Sequence, residues 1–361
     1  MNSFWQGKKV FITGHTGFKG SWLSLWLQFL GADVVGYALQ PPSTPSLFNM
    51  AHIEEGMQSI QGDVLDYSKL QTTLLKYKPD IVIHMAAQSL VQHSYKFPIE
   101  TLSVNIMGTA NVLEAARHVD SIRVIINVTS DKCYENREWV WGYRENEPMG
   151  GYDPYSCSKG CAELITSSYQ RSYFSGENTA KIASVRAGNV IGGGDWAADR
   201  IVPDSIRAII KNEPILIRNL YAIRPWQHVL EPLRGYLLLA QKVWENGSKY
   251  AEGWNFGPND SHAWTVKEVV EGLCRLWGNN ATWKTEKDNH MHEAYYLKLD
   301  STKAVHMLGW RPLLTMQDTL AMTVEWYKNF YDFKDPQKIT LEQISMYQKE
   351  IYVDNHSFRS N

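Results

Sequence analysis

Short apolar segments alternate with longer amphipathic segments through the first half of this chain. Residues 10–12, 33–37 and 81–84 have the apolar pattern of strands, and residues 18–30 and 67–77 carry apolar side chains at helical spacing. The same alternation predicts further elements, with strands at 57–60, 124–128 and 182–185 and helices at 101–117 and around Tyr155. Strands that alternate with helices predict a doubly wound α/β fold on a parallel sheet. Such sheets bind ligands beyond the carboxyl ends of their strands.

A glycine-rich turn follows the first predicted strand and opens the first predicted helix. It reads Thr13-Gly14-His15-Thr16-Gly17-Phe18-Lys19-Gly20. Glycines in this context allow a tight turn and close backbone approach, and the N–H groups of the helix face a pyrophosphate. The turn therefore predicts a dinucleotide site, with a merely structural turn as the alternative. His15 and Lys19 either add charge near the phosphates or face solvent.

Tyr155 and Lys159 lie four residues apart in Asp-Pro-Tyr-Ser-Cys-Ser-Lys. This spacing places both side chains on one face of a helix, which Pro154 is suited to open. An unperturbed tyrosine titrates near pH ~10, so a neighbouring ammonium is what would make Tyr155 a usable base near neutrality. Such pairs also arise by chance on many helices. Together with the glycine turn, the pair indicates nicotinamide chemistry.

The residues that usually decide between NAD and NADP lie at the end of the second predicted strand. That region reads Gly36-Tyr37-Ala38-Leu39-Gln40, with neither an acid nor an arginine. Asp63, followed by Val64, comes after the third predicted strand. Asp63 is a candidate partner for the adenine amino group or, equally, a helix cap. The residues alone leave the choice between NAD and NADP open.

Composition narrows the class of partner. The formal net charge of -2 gives no reason to expect nucleic acid or an anionic membrane as partner.

The four cysteines lack metal-ligand spacing and are too few for a disulfide scaffold, so we predict no metal site and a reducing cytoplasm. Cys157 and Cys161 are predicted to be small core residues. No apolar run reaches the ~18 residues of a membrane span, and the first residues lead into a strand rather than a signal peptide.

Several further motifs accompany the glycine turn and the Tyr155/Lys159 pair. They are His84-Met85-Ala86-Ala87-Gln88, Asn105 and Arg186-Ala187-Gly188-Asn189. In this combination the chain resembles the extended short-chain dehydrogenase/reductases, specifically the nucleotide-sugar epimerases and 4,6-dehydratases. Residues 129–134 and 150–159 resemble most the dehydratases that act on CDP-glucose. The likeness runs through nearly the whole chain.

The resemblance implies a domain organisation, a cofactor and an assembly. Residues 1–185, with a return segment near 226–255, would form a Rossmann-type NAD-binding domain, and residues 186–361 would mainly form a smaller α/β lobe for the nucleotide sugar. NAD is the implied cofactor, with Ala86, Ala87, Gln88, Tyr155 and Lys159 among its contacts. Dimers in this family pack through two long helices, here near 101–117 and 154–173. A homodimer or homotetramer is therefore expected.

The resemblance also assigns roles at the reacting sugar. Ser130 would bond the sugar O4, and Asp131 would protonate the departing C6 hydroxyl. Related dehydratases carry a glutamate next, which removes the C5 proton, but this chain has Lys132. An ammonium accepts no proton, so Lys132 acts as the base only if burial lowers its pKa strongly. We interpret Lys132 as stabilising the developing enolate, with the base or a loop anchor as alternatives.

For the nucleotide half of the substrate, the matching residues are Gln88, Asn189, Arg200, Arg218 and Arg224. Arginine suits bidentate phosphate contact, although each of these arginines could instead make a surface ion pair. Relatives often carry another arginine before the Asp-Ser-Thr-Lys segment, and the stretch 293–300 has none. His290 and His292 in the same region are predicted not to be ligands.

The resulting hypothesis is a cytoplasmic NAD-dependent lyase that converts CDP-glucose to a 4-keto-6-deoxy sugar. Its product would supply deoxyhexoses for bacterial surface polysaccharide, such as the O-antigen of lipopolysaccharide. A nucleotide-sugar 4-epimerase is the nearest alternative, because it needs Ser130, Tyr155 and Lys159 but not the acid Asp131. A non-catalytic NAD-binding regulator is the second alternative, and the intact tyrosine–lysine pair argues against it.

Overall fold

The computed structural model describes residues 2–258, 264–278, 281–285 and 296–357. The strands within these ranges are β1 Lys9–Thr13, β2 Asp33–Ala38, β3 Gln58–Gln61, β4 Ile81–His84, β5 Val124–Val128, β6 Lys181–Ala187, β7 Val190–Ile191, β8 Ile215–Ile217, β9 Gln227–His228, β10 Gly253–Phe256 and β11 Trp283–Thr285. Seven of them form one parallel sheet in the order β10-β6-β5-β4-β1-β2-β3. The predicted doubly wound parallel sheet is confirmed.

Helices flank this sheet and build the second half of the chain. They are α1 Asn2–Trp5, α2 Phe18–Phe29, α3 Leu47–Met50, α4 Tyr67–Tyr77, α5 Val91–Lys96, α6 Pro98–Leu102, α7 Gly108–Arg117, α8 Pro154–Ser172, α9 Ile201–Ile210, α10 Leu230–Asn246, α11 Val266–Trp277, α12 Met316–Tyr331 and α13 Pro336–Ser357. Short 3₁₀ turns occur at Ile53–Gly56, Asp131–Cys133 and Gly247–Tyr250, and π turns at Ser103–Met107 and Ala304–Leu308. No helix in the described part of the chain combines the length and apolar character of a membrane span.

Both faces of the sheet are buried, which explains the unbroken apolar runs in the sequence. Val10 and Ile12 of β1 lie in a core that includes residues of α2 and α10. Phe11 between them lies in a second core with Leu70 of α4 and Val112 of α7. Successive strand residues point to opposite faces, so each strand supplies both cores. The carboxyl ends of the strands consequently meet at one edge.

The helix predicted at 101–117 is more complex than the sequence suggested. It begins at Pro98 and contains the π turn Ser103–Met107 before α7 continues to Arg117. A π turn widens the helix locally and is frequent at functional sites. Here it contains Asn105, whose amide lies next to helix α8.

The second half of the chain adds smaller units beyond β6. β7 pairs with β9 and β8 pairs with β11, each in parallel. The chain then returns to the main sheet, because β10 pairs in parallel with β6. Helices α11 and α12 each begin with a capping box, at Thr265 and Thr315.

A buried ion pair joins helix α8 to the sheet. Arg186 of β6 donates to both carboxylate oxygens of Glu163, from Nε at 2.8 Å and from Nη2 at 2.8 Å. Thr129 at 2.5 Å and Ser184 at 2.7 Å donate to the same carboxylate. Burial alone would raise the pKa of Glu163, but Arg186 and the two hydroxyls hold it below its usual value. The carboxylate therefore stays charged and fully hydrogen-bonded.

We expect Glu163→Gln to lower the free energy of unfolding by about 3 kcal/mol or more, because Arg186 is left buried without a counter-charge. Urea denaturation measures this change. Glu114→Gln is the matched control, because Glu114 pairs with Arg117 and His118 at a more exposed position. This control is expected to lower the free energy of unfolding by less than about 1 kcal/mol. Equal losses for the two variants would contradict the assigned importance of the Glu163–Arg186 pair.

Candidate active site

The glycine turn is packed so closely that two of its glycines cannot be replaced. Gly14 has a φ of +76°, and a Cβ there would lie 2.7 Å from the backbone nitrogen of Ala86. A Cβ at Gly20 would lie 2.1 Å from the carbonyl oxygen of Gly14. Gly17 caps α2 without a side chain, and the first turn of α2 carries no acid. The N-terminal N–H groups of α2 are therefore suited to an anionic pyrophosphate, so the turn fits NAD.

His15 neither faces solvent nor adds charge to this turn. Its ring is buried, bonds Ser59 Oγ from Nε2 at 2.8 Å, and lies over Gly36, where a Cβ would come within 2.3 Å of the ring. Burial lowers the pKa of His15 to about 4, so the imidazole is neutral. Both alternatives predicted for His15 are wrong, because Gly36 leaves room for the ring inside the fold.

Lys19 reaches away from solvent toward the catalytic residues. Its ammonium donates to the hydroxyl of Tyr236 on α10 at 3.1 Å. Burial, together with the charges of Lys159 and Arg200, lowers the pKa of Lys19 to about 7. Tyr236 is fully buried and lies 217 positions from Lys19 in sequence. No motif marks Tyr236, so sequence reasoning missed this contact.

The loop after β4 is held against the glycine turn. Thr13 Oγ1 accepts hydrogen bonds from the N–H groups of Met85 at 3.1 Å and Ala86 at 3.2 Å, and it contacts His84 Nδ1 at 2.7 Å. Because Thr13 Oγ1 accepts from two N–H groups, its own proton is directed at His84. Ala86 thus borders the glycine turn, and the cofactor contacts of Ala86 and Ala87 stay predictions.

The side chain of Gln88 makes its hydrogen bonds within and next to its own loop. Its side chain bonds Leu90 and donates to Thr101 Oγ1 at 2.7 Å, while its N–H donates to Asn105 Oδ1 at 2.9 Å. The predicted contact of this side chain with the substrate stays a prediction. The loop itself remains beside the cofactor turn.

Four other predicted cofactor residues have local contacts or positions. Asp63 Oδ1 accepts from the N–H of Leu65 at 2.9 Å, and the carboxylate that caps α4 is instead Asp66. Val64 is buried beside α7. Thr16 donates to the carbonyl of Leu39 at 3.0 Å, and Phe18 begins α2. The cap prediction for Asp63 is wrong, because α4 begins only at Tyr67 and its N-cap is Asp66.

Ser130, Asp131 and Tyr155 come together at the carboxyl end of β5. Ser130 Oγ donates to Asp131 Oδ1 at 3.0 Å and accepts from the N–H of Lys132 at 3.2 Å. Ser130 lies close enough to Tyr155 to lower the pKa of the tyrosine hydroxyl, against the larger effect of burial. Asp131 Oδ2 is buried and has no hydrogen-bond partner among the described residues. Burial raises the pKa of Asp131 despite the nearby charges of Lys132 and Arg224, which suits a proton donor.

Helix α8 positions Tyr155 and Lys159 as predicted from their spacing. Asp153 caps the helix by accepting from the N–H of Ser156 at 2.9 Å, and Pro154 is its first residue. Lys159 Nζ lies 6.0 Å from the centre of the Tyr155 ring. Asn105 Nδ2 donates to Ser158 Oγ at 2.8 Å, which ties α8 to the π turn.

The electrostatics of this pair differ from the expectation. Burial raises the pKa of Tyr155 to about 12, with a smaller opposite effect from Ser130. Burial lowers the pKa of Lys159 to about 8. The protein alone therefore does not bring Tyr155 near neutrality, because the loss of hydration outweighs the nearby cations. Further positive charge at the site is needed to favour the phenolate.

The predicted substrate residues differ in burial and in the partners that they contact. Arg224 is buried, and its charge acts on Asp131. Arg200 donates to Asp195 Oδ2 at 2.9 Å and to Ser89 Oγ at 3.0 Å. Arg218 donates to Asp199 Oδ1 at 2.7 Å. The carbonyl oxygen of Asn189 accepts from the N–H of Gln227 at 3.1 Å. The arginines thus include both buried and exposed positions.

The predictions for the two cysteines of α8 and for the histidines near residue 290 remain to be compared with the structure. Cys157 is exposed and Cys161 partly buried on the outer face of α8, so the expectation that they are core residues is wrong. The inner face of α8 is occupied by Tyr155, Ser158 and Lys159. His290, His292 and residues 293–295 lie outside the described residues.

Comparison with known proteins identifies the family. A family model described as GDP-mannose 4,6 dehydratase matches residues 11–323. The chain belongs to this dehydratase family. The CDP-glucose 4,6-dehydratase of Salmonella typhimurium is 54% identical over 349 residues, which cover 96% of this chain and 97% of that protein. The dTDP-D-glucose 4,6-dehydratase of Homo sapiens is 25% identical, over 92% of this chain and 93% of that protein.

Solved structures place this dehydratase among related folds. A dTDP-glucose 4,6-dehydratase from Streptomyces venezuelae, solved with NAD bound, superposes with a TM-score of 0.76 at 22% identity, covering 91% of this chain and 99% of that one. A UDP-glucose 4-epimerase from Thermotoga maritima superposes with a TM-score of 0.77 at 21% identity, covering 90% and 99%. The fold is thus common to dehydratases and epimerases, so the residues of the site decide the reaction.

We expect Lys159→Met to stabilise this dehydratase at pH 7. The fall in the pKa of Lys159 from 10.5 to about 8 corresponds to a cost of about 3 kcal/mol for burying its charge. Between these values the unfolded chain binds more protons than the folded protein, so wild-type stability rises with pH. The gain in the free energy of unfolding of the variant over the wild type should therefore fall to about half at pH ~9.5. Urea denaturation at both pH values measures it, with exposed Lys69→Met as the control. An advantage that does not change with pH would contradict the shifted pKa.

Proposed function

We propose that this protein is an NAD-dependent CDP-glucose 4,6-dehydratase, which converts CDP-glucose to CDP-4-keto-6-deoxyglucose and water. The observation that carries the proposal is the buried Asp131 carboxyl group, which lies beside the Ser130–Tyr155 pair with one oxygen unpartnered among the described residues. An oxidation at C4 uses Ser130 and Tyr155, and the loss of a hydroxyl at C6 requires an acid. The 54% identity to the Salmonella typhimurium enzyme supports CDP-glucose as the substrate.

The first step concerns the C4 hydroxyl group. The glycine turn and the loop after β4 would hold NAD, which would supply a hydride acceptor for C4, the hydride that C6 later receives, and positive charge. Tyr155 Oη takes the proton from O4, and Ser130 Oγ holds O4 in position. Lys159 favours the phenolate form of Tyr155 electrostatically and is placed to hold the nicotinamide ribose. A ketone at C4 results.

The second step is an elimination across C5 and C6. The C4 ketone acidifies the C5 proton, which passes to water, while the Lys132 ammonium stabilises the enolate that develops at O4. Asp131 donates its proton from Oδ2 to the departing C6 hydroxyl, which leaves as water. Burial supports this role, because it keeps a proton on Asp131 at higher pH than is usual for an aspartic acid. Reduction at C6 and protonation at C5 complete the 4-keto-6-deoxy sugar.

The nucleotide half of the substrate is placed by the arginines and by Asn189. Arg224, the most buried of the three arginines, is the strongest candidate to bind the diphosphate, since a guanidinium makes bidentate bonds to phosphate oxygens. Arg218 and Arg200 are the further candidates to contact this half of the substrate.

The proposal is tested by incubating the protein with NAD and, separately, with CDP-glucose, dTDP-glucose, UDP-glucose and GDP-mannose in D2O. Mass spectrometry should show loss of one water from CDP-glucose alone and incorporation of one solvent deuterium, at C5. An isomer of unchanged mass would indicate the epimerase instead. No reaction with any sugar would overturn the proposal and favour a non-catalytic NAD-binding protein.

The Asp131→Asn variant separates the dehydratase from the epimerase. We expect water loss to slow by about 10²–10⁴-fold, because an amide cannot supply the proton to the leaving hydroxyl. Oxidation at C4 should persist, visible as NADH absorbance at 340 nm on adding CDP-glucose. An epimerase would keep its turnover in this variant.

The protein is further proposed to be cytoplasmic and to form a homodimer or homotetramer. Helices α6 and α8 and the π turn between α6 and α7 expose large apolar side chains in the single chain, which supports pairing through this region: Ile99 is 75% exposed, Met107 54% and Leu164 61%. Analytical ultracentrifugation should show a species of even order. Ile99→Asp with Leu164→Asp should shift it toward monomer. A wild type that sediments only as monomer would exclude the assembly.

A further inference from the structure

One short segment of the second half of the chain, residues 195–199, supplies a carboxylate to each of two arginines. Asp195 pairs with Arg200 at 2.9 Å, and Asp199 pairs with Arg218 at 2.7 Å. Both arginines are among those proposed for the nucleotide half of the substrate. A guanidinium edge that is bonded to a carboxylate cannot bind a phosphate at the same time.

The two pairs differ in how firmly the carboxylate is held. Asp195 is buried, and the hydroxyl of Tyr327 bonds both its N–H and its carbonyl oxygen. Its position is therefore set by the fold, and Arg200 is anchored with it. Asp199 and Arg218 each keep 39% of their side chain exposed. This second pair is accessible to a competing anion.

Asp199 also has an uncommon backbone conformation. Its φ is +60°, in the left-handed region that aspartate and asparagine tolerate better than most residues. The conformation turns the chain just before α9 and presents the Asp199 carboxylate to Arg218, which follows β8. The turn thus brings together two residues that are 19 positions apart.

We propose that Asp199 determines nucleotide affinity by competing with the substrate diphosphate for Arg218. A carboxylate and a phosphate use the same donors of a guanidinium, so a nucleotide that binds through Nη2 of Arg218 displaces Asp199. The inference rests on the proposed function, because it requires an anionic nucleotide at Arg218. Affinity lost in this way is lost for substrate and product alike, so the competition speeds release of the product.

The size of the effect follows from the exposure of the pair. Ion pairs at such positions contribute about 0.2–1 kcal/mol. Removing the competitor should therefore strengthen nucleotide binding by about two- to fivefold. Asp199→Asn is the suitable change, because asparagine has nearly the same size and favours the left-handed conformation at least as well.

The experiment is a calorimetric titration of the NAD-saturated enzyme with CDP. We expect the Kd for CDP to fall about two- to fivefold in Asp199→Asn. Asp204→Asn is the matched control for a lost negative charge nearby: Asp204 pairs with Arg207 at similar exposure, and the charges of Asp199 and Arg218 also reach it. The Kd in this control should stay within about twofold of the wild type.

A double-mutant cycle shows whether the effect passes through Arg218. Arg218→Gln should weaken CDP binding, and adding Asp199→Asn to it should change the Kd no further. Thermal unfolding of each variant checks that the fold is intact, which is expected because all these residues are partly exposed.

Weaker or unchanged CDP binding by Asp199→Asn would overturn the inference. The inference would also be overturned if Asp199→Asn lowered the Kd for CDP equally in the wild type and in Arg218→Gln. The effect would then come from the loss of a negative charge and not from release of Arg218. Failure of the proposed function would give a different result from these two outcomes. The wild type would then bind another nucleoside diphosphate but not CDP, and the same comparison of variants would be made with that nucleotide.

Discussion

The buried ion pair between Glu163 and Arg186 is the interaction on which the site depends. It joins the catalytic helix α8 to strand β6, and the same carboxylate accepts from Thr129, which directly precedes Ser130. One charged group thus sets the distance between the helix that carries Tyr155 and Lys159 and the strand end that carries Ser130 and Asp131. A buried pair of this kind tolerates little displacement, because either charge left alone in the core is costly. The reacting groups are consequently held by the interior of the protein.

Burial then controls the chemistry of the groups that Glu163 and Arg186 position. Loss of hydration disfavours charge on every titratable group at the site. It raises the pKa of Asp131 and of Tyr155 and lowers that of Lys159 and Lys19. For Asp131 this favours the protonated acid that a leaving hydroxyl requires. For Tyr155 it opposes the phenolate, so the tyrosine becomes an effective base only when further positive charge enters the site.

The same fold supports dehydratases and epimerases, and the difference lies in a few side chains at the carboxyl end of β5. In the proposed mechanism, Ser130, Tyr155 and Lys159 serve the oxidation at C4. Asp131, with one buried oxygen that has no hydrogen-bond partner among the described residues, is the proposed acid. Lys132 stands where the family pattern has a glutamate, and its proposed role is to supply positive charge in place of a base. The reaction thus depends on the polar groups at one strand end and not on the architecture as a whole.

Local sequence alone determined the sheet, the glycine turn and the pairing of Tyr155 with Lys159, because periodicity, tight turns and helical spacing are properties of neighbouring residues. The strand Val124–Val128 and the helix Tyr67–Tyr77 fall at their predicted bounds. Only the tertiary structure decided the surroundings of these residues. The burial of His15 over Gly36, the reach of Lys19 to Tyr236, the pairing of Arg218 with Asp199 and the outward position of Cys157 all depend on segments that are distant in sequence. Hydration and long-range packing determine whether a group is charged and what it contacts, and no short motif encodes either.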